Sequence, residues 1–192
     1  MNKTSYNKTV IIYLIGLAGS GKYTISQNIS VHNYKVVDNH LINNPILALL
    51  DLDGVTPIPK IAWDAISHIR STVFGFIQHD YTTNYVFTNE LLESPVDHDI
   101  YNQVLNISAL RNSIFVPVKL IISPEELARR IVFPERKKQL KTTNIDEAYT
   151  NKKSIKITHN NLLELDITNL KADGAAEKIL FHVDHLKNIM SQ

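Results

Sequence analysis

Two rhythms of apolar and polar positions divide this chain. Short continuous apolar runs mark buried strands, and recurrence at every third or fourth position marks helices. The first run is Val10-Ile11-Ile12-Tyr13-Leu14-Ile15. Behind it Ile25 and Ile29 share one helical face, which predicts a helix reaching about Val31. Tyr34-Lys35-Val36-Val37 predicts a short second strand ending at Asp38-Asn39-His40. Asn44-Pro45 reads as the cap and first-turn proline of a helix carrying Ile46, Leu47, Leu49 and Leu50. Asp51 to Pro59, with Gly54, Pro57 and Pro59, predicts a loop. Apolar residues at Ile61, Ala62, Ala65, Ile66, Ile69, Val73, Phe76 and Ile77 then predict a long helix with a buried stripe, Trp63 and Arg70 lying off it.

Tyr85-Val86-Phe87 predicts a third strand, delivering Thr88-Asn89-Glu90 to its end. Ser94-Pro95-Val96-Asp97 combines a serine cap, a first-turn proline and an acid, and opens a helix whose core face is Ile100, Val104, Ile107 and Leu110. Ile114 to Ile122 is a fourth strand in which Pro117 lacks an N–H, so pairing is expected from about Val118. Ser123-Pro124-Glu125-Glu126 repeats the cap signature and starts a helix that should stop near Phe133, before Pro134. A short helix over Asp146 to Lys152, a fifth strand over Leu162 to Ile167 and a last helix from Ala175 to Met190 complete the series. The last helix faces Ile179, Leu180, Val183, Leu186 and Ile189 inward. Strands alternating with helices predict an α/β fold around a parallel sheet.

Composition narrows this picture. The 192 residues suit one domain with a proper core, here taken as a single unit over 1–192 with a flexible polar start over 1–8. Net charge of +1 supplies no global field for nucleic acid or an anionic membrane, so no nucleic-acid or membrane partner is expected. Cysteine is absent, which removes disulfides, thiol nucleophiles and cysteine metal sites. Met1 to Lys8 is too poor in apolar residues for a signal peptide, and no apolar run is long enough to span a bilayer. The cytoplasm is the expected compartment. Oligomeric state is not encoded in any feature of the pattern.

Candidate chemistry concentrates behind the first strand, in Gly16-Leu17-Ala18-Gly19-Ser20-Gly21-Lys22-Tyr23-Thr24. Gly16, Gly19 and Gly21 allow a tight turn whose N–H groups point inward, forming an anion nest with Ser20 at the positive end of the following helix. Lys22 supplies an ammonium that follows the β- and γ-phosphates of a nucleotide. The usual pattern puts a serine or threonine hydroxyl directly after the lysine to ligate Mg²⁺, whereas this chain has Tyr23 there and Thr24 one place later.

A second focus lies at the strand ends. In parallel α/β sheets ligands sit at the carboxyl ends of the strands. Asp38 is there, either as a base toward a substrate hydroxyl or a holder of metal-bound water, or as a helix cap. His40, Thr88, Asn89 and Glu90 share that edge and either contact an acceptor or satisfy loop backbone. Arg70 either grips an anionic acceptor or is a plain exposed helix arginine. Arg129, Arg130, Arg136, Lys137, Lys138 and Lys141 form the one concentrated basic patch, opposed by Glu135. It is a solvated face or a lid over about 134–150 that brings Arg136 over a transferring phosphoryl group. His182 and His185 are a possible metal pair or simple surface, and no metal site made by protein ligands alone is expected.

With these features, and the Leu165-Asp166-Ile167-Thr168-Asn169 ending, most of the chain resembles the P-loop small-molecule kinases: shikimate kinase, gluconate kinase, chloramphenicol phosphotransferase and adenylate kinase. The resemblance implies a five-stranded parallel sheet in order 2-3-1-4-5 with helices on both faces and a mobile lid. It also implies ATP and a Mg²⁺ ion held largely through water, with Thr24 on the α-phosphate as in the adenylate kinase group. By the same likeness Lys22 carries the phosphates, Asp38 is base or metal-water ligand, Arg130 lies near adenine and Arg136 belongs to the lid. Shikimate itself is disfavoured, because Asp38-Asn39-His40 replaces an Asp-x-Asp and Thr88-Asn89-Glu90 a glycine run. Asn151-Lys152-Lys153-Ser154 lacks the acid of a guanine motif, which disfavours a GTPase. The expected partners are a nucleotide and a small hydroxylated or phosphorylated acceptor. The alternative is a nucleotide-binding module with weak or no transfer, suggested by Tyr23, and a kinase of RNA or nucleotide ends is opposed by the near-neutral charge.

Overall fold

The computed structural model describes residues 8–52, 56–132 and 153–190. The strands are β1 (Val10–Ile15), β2 (Tyr34–Asp38), β3 (Asn84–Asn89), β4 (Ile114–Ile121) and β5 (Leu163–Asp166). The helices are α1 (Lys22–Ser30), α2 (Asn39–Leu47), α3 (Lys60–His79), α4 (Pro95–Leu110), α5 (Pro124–Ile131) and α6 (Ala172–Met190). These five strands pair in parallel, in the order β2-β3-β1-β4-β5. A parallel sheet buries both faces. Accordingly every residue of β1, the central strand, is fully buried.

The two faces carry separate cores. One gathers Ile12, Leu14, Ile25, Ile29, Val116 and Val118 against Ile179 and Val183 of α6. The other gathers Ile11, Tyr13, Ile66, Phe74, Phe87, Val104 and Phe115 under α3 and α4. Side chains alternating along β1 feed the two cores in turn, so one strand anchors both layers.

Two caps form as the sequence predicts. The Ser94 hydroxyl accepts from the Asp97 N–H at 3.2 Å, and the Ser123 hydroxyl accepts from the Glu126 N–H at 3.3 Å. Several expectations are corrected. The second helix starts at Asn39, not at Asn44-Pro45, because the Asp38 carboxylate accepts the His40 N–H at 2.9 Å and nucleates the turn earlier. Pro45 therefore lies inside α2, and the chain continues past it through Ala48 N–H to Asn44 O at 2.9 Å. Leu49, expected in that helix, lies beyond its end and is exposed.

Pro117 does not delay the fourth strand, since β4 pairs with β1 from Ile114 onward. The Ile114 N–H bonds Thr9 O, on the β1 side. Alternation then turns position 117 toward β5, whose pairing starts only at Val118, so the missing N–H leaves no gap in the β1 ladder. On α3 the buried aromatic is Phe74, with Phe76 and Ile61 exposed. The two phenylalanines flank the same stripe, and β3 lies on the Phe74 side, where the ring meets Phe87 edge-on at 5.8 Å. Leu110 and Ile189 also fall on the exposed sides of their helices. The lid, Arg136 and the short helix of Asp146 to Lys152 lie outside the described residues.

Candidate functional site

The buried β1 post ends at Ile15 and releases the chain into the glycine loop. Gly16 N–H donates to Asn89 O at 3.3 Å, tying the loop's first residue to the end of β3. Gly19 and Gly21 both have φ of 90°, a left-handed conformation that costs a side-chain-bearing residue strain. At Gly19 a Cβ would also meet Leu127 Cδ1 at 3.0 Å. Gly21 is the N-cap of α1 and offers no side-chain cap. Helix geometry leaves first-turn N–H groups without intrahelical acceptors, so this end is built to take an anion. The Lys22 ammonium folds over the loop, donating to Gly16 O at 2.7 Å and Leu17 O at 2.8 Å. Ser20 is fully buried within the turn, where its Oγ has no hydrogen-bond partner among the described residues.

On the β2/β3 side, strand register creates the second focus. Asp38 pairs with Thr88 across the ladder, and both are buried. Thr88 Oγ1 donates to Asp38 Oδ2 at 2.8 Å, while the His40 N–H donates to Oδ1 at 2.9 Å. Asp38 is thus a helix cap, and its carboxylate is also fixed in one orientation at the edge of a cavity. The two alternatives posed by the sequence are compatible in one side chain.

That cavity has a volume of about 940 Å³, toward the upper end of the range for small-molecule sites, and joins both foci. Its floor is Gly19, Gly21, Lys22, Tyr23 and Thr24, with Asp38, Asn39, His40, Thr88, Asn89 and Glu90 on one side. Glu126, Arg129, Arg130 and the 168–172 loop form the other. On that side Arg130 Nε donates to Glu126 Oε1 at 2.6 Å and its Nη2 to Ile167 O at 2.9 Å. Arg129 forks onto both oxygens of Glu126, each at 2.7 Å. Hydrogen bonds from Arg129 and then Arg130 hold the Glu126 carboxyl down at about 2.

Most of the residues singled out in the sequence therefore meet around one cavity. Gly16 and Ser20 shape the loop from behind its wall. Arg70 does not reach the wall: it is half-buried, and its Nη2 lies 3.5 Å from Asn43 Oδ1. Burial lowers its pKa, with the Tyr13 and Asp97 groups acting in the opposite direction. Glu126 and the Leu170 to Ala172 stretch were missed, although the Ser-Pro-Glu-Glu signature had marked Glu126 as a helix-start acid. His182 Nε2 lies 3.0 Å from Asn161 O, and no group of three or more metal-ligating side chains exists among the described residues. None of the described helices is long and apolar enough to cross a membrane.

No protein-family model matches the sequence, and no curated protein matches it. Solved structures do match the fold. A gluconokinase from Sinorhizobium meliloti 1021 aligns with a TM-score of 0.62 over 97% of each chain, at 12% identity. The chain has the fold of the P-loop small-molecule kinases. Thymidylate kinase from Candida albicans shares that kinase fold with a TM-score of 0.58 at 14% identity, over 94% of this chain and 93% of its own. The Mycobacterium tuberculosis APS kinase, solved with AMPPNP and APS, gives 0.57 at 13% identity over 93% and 99%. The P-loop kinase fold carries the strand order predicted from the resemblance, with β1 central and the glycine loop at its carboxyl end.

Proposed function

We propose that the protein is an ATP-dependent phosphotransferase that moves the γ-phosphoryl group of a bound nucleotide to a hydroxyl of a small molecule. The observation that carries this reading is a single cavity uniting a phosphate-shaped glycine loop, with its lysine, and an oriented aspartate across from it. The triphosphate lies along the loop N–H groups, and Lys22 leaves its two carbonyls to follow the β- and γ-oxygens. The base rests against Arg130 and the 168–172 loop. The acceptor occupies the β2/β3 side, where Asp38 takes the proton of the attacking hydroxyl. His40, Thr88, Asn89 and Glu90 line that side and hold the acceptor's remaining polar groups.

Mg²⁺ fits this arrangement only as part of the nucleotide complex, since the described residues hold no ligand cluster of their own. Asp38, in the alternative to its role as base, would hold it through water, with Thr24 on the α-phosphate, and the ion would neutralise charge on the phosphate oxygens. Tyr23 favours the second reading, a nucleotide-binding module with little transfer, because a phenol replaces the short hydroxyl side chain at this position.

ADP release and thermal shift with ATP and Mg²⁺ separate the two. At about 100-fold over its dissociation constant the nucleotide adds roughly 2.7 kcal/mol, a rise of about 5–11 °C for a chain this long. Lys22→Ala should abolish that rise. A rise accompanied by no ADP release with any acceptor supports the module, and no rise with ATP, GTP or their diphosphates removes both readings.

A further inference from the structure

We infer that Glu126 is a positioning residue for the nucleobase: it holds the Arg130 guanidinium as a fixed platform in the cavity wall, against which the nucleobase packs. The inference rests on nucleotide binding as read in the proposed function and deepens it. Arg130 is fixed at two points. Its Nε donates to Glu126 Oε1 at 2.6 Å, and its Nη2 donates to Ile167 O at 2.9 Å, with Thr168 O at 3.4 Å. A planar guanidinium held by acceptors on two different elements keeps one orientation. The remaining nitrogen, Nη1, stands beside the phosphate loop, 3.7 Å from where a Cβ on Gly21 would lie. The group therefore spans from the loop to the start of the 168–172 stretch, and both border the cavity.

The surroundings of Glu126 suit this hold. It lies one turn before Arg130 on α5, the spacing that brings two helix side chains together. Arg129 donates from Nε to Oε2 and from Nη2 to Oε1, each at 2.7 Å. That fork stops the carboxylate from rotating and keeps Oε1 directed at Arg130. The Arg129 side chain is 63% exposed and that of Arg130 only 20%, so Arg129 braces the carboxylate from the solvent side. The link from Arg130 to Ile167 O crosses 37 residues of sequence, which a pair serving the helix alone would not do. A second tie runs the same way, since the Ser123 N–H donates to Thr168 Oγ1 at 2.9 Å. An arginine left loose would have to be ordered when the nucleobase arrives, at about 2- to 12-fold in affinity. Here the order exists beforehand.

The test compares ATP with inorganic tripolyphosphate, which shares the phosphate chain but has no nucleobase. Each is titrated calorimetrically into the intact protein with Mg²⁺, tripolyphosphate also in competition with ATP, and a melt confirms that each variant is folded. Loss of Glu126 leaves added positive charge near the phosphates, and that gain enters both ligands alike. The ratio of the two affinities therefore isolates the nucleobase. Arg130→Ala should lower the ratio by roughly 2- to 30-fold, the range for a cation over an aromatic ring. Glu126→Ala should lower it by about 2- to 12-fold, and no further than Arg130→Ala does. Glu126→Gln keeps one neutral acceptor and should fall between the parent and Glu126→Ala. The double variant should match Arg130→Ala, because Glu126 acts only through Arg130. An unchanged ratio in Glu126→Ala, a double variant below Arg130→Ala, or a parent that binds ATP no tighter than tripolyphosphate overturns the inference and leaves nucleotide binding standing. Lys22→Ala should weaken both ligands together. A parent that binds neither ATP nor GTP removes the nucleotide reading and the inference at once.

Discussion

Asp38 carries two loads that substitution can separate. As a cap it accepts the His40 N–H at 2.9 Å, and as a buried partner it accepts Thr88 Oγ1 at 2.8 Å. Asp38→Asn keeps an oxygen for the cap, and the Thr88 hydroxyl can turn to accept from the new amide. Asparagine caps as well as aspartate, so the cost should stay below about 1 kcal/mol, under about 4 °C in melting temperature. Asp38→Ala loses the cap, about 1 kcal/mol, and strands the Thr88 hydroxyl in a buried position, about 1–3 kcal/mol more. The sum of about 2–4 kcal/mol predicts a fall of roughly 4–16 °C. Activity should follow a different order. Both variants remove the base, so transfer should drop by about 10² to 10⁴ in each, with nucleotide affinity nearly unchanged in the Asn form. Thermal melts with and without ATP, beside ADP release with the stimulating acceptor, read both quantities. Transfer at the parental rate by Asp38→Asn would refute the base and leave Asp38 a cap alone. A melting temperature for Asp38→Ala equal to that of Asp38→Asn would refute the assigned hydrogen bonds.

The loop and its flank make further predictions. Gly19→Ala forces a Cβ into φ 90° and to 3.0 Å from Leu127 Cδ1, so stability should fall by about 1–3 kcal/mol, with nucleotide affinity reduced, in melts and calorimetric titration. Tyr23→Ser supplies a short hydroxyl after Lys22 and should steepen the Mg²⁺ dependence of nucleotide binding; a flat response in a folded variant counts against metal held through water. The Glu126 carboxyl is depressed from an ordinary 4.5 to about 2, so its pairing with Arg129 and Arg130 stabilises the fold above about pH 4.5 and is lost as pH falls toward 2. Glu126→Gln should flatten that acid limb in melts taken across the window, and equal limbs would show that the pair contributes nothing.

Local signals in the sequence were sufficient for the organising features. An apolar run followed by glycines and lysine needs no distant residue to become β1, loop and α1, because burial pattern and backbone freedom are properties of the segment itself. The caps at Ser94 and Ser123 are likewise local, their partners lying three residues away. Tertiary structure decided whatever depends on which element becomes a neighbour. Asp38 starts α2, and Pro45 sits inside it. The Asp38–Thr88 hydrogen bond exists only because β2 pairs with β3 in one register. Pro117 was compatible with a central strand because its blank side faces the late-starting β5. Phe74 rather than Phe76 is buried because β3 lies under that flank of α3, and Arg70, one turn earlier on the same flank, is half-buried beside Asn43. Glu126 became part of the wall when α5 packed beside the loop. Periodicity specifies that a face is apolar, but which flank of that face is covered, and which polar group it carries toward a site, is settled by packing between segments far apart in the chain.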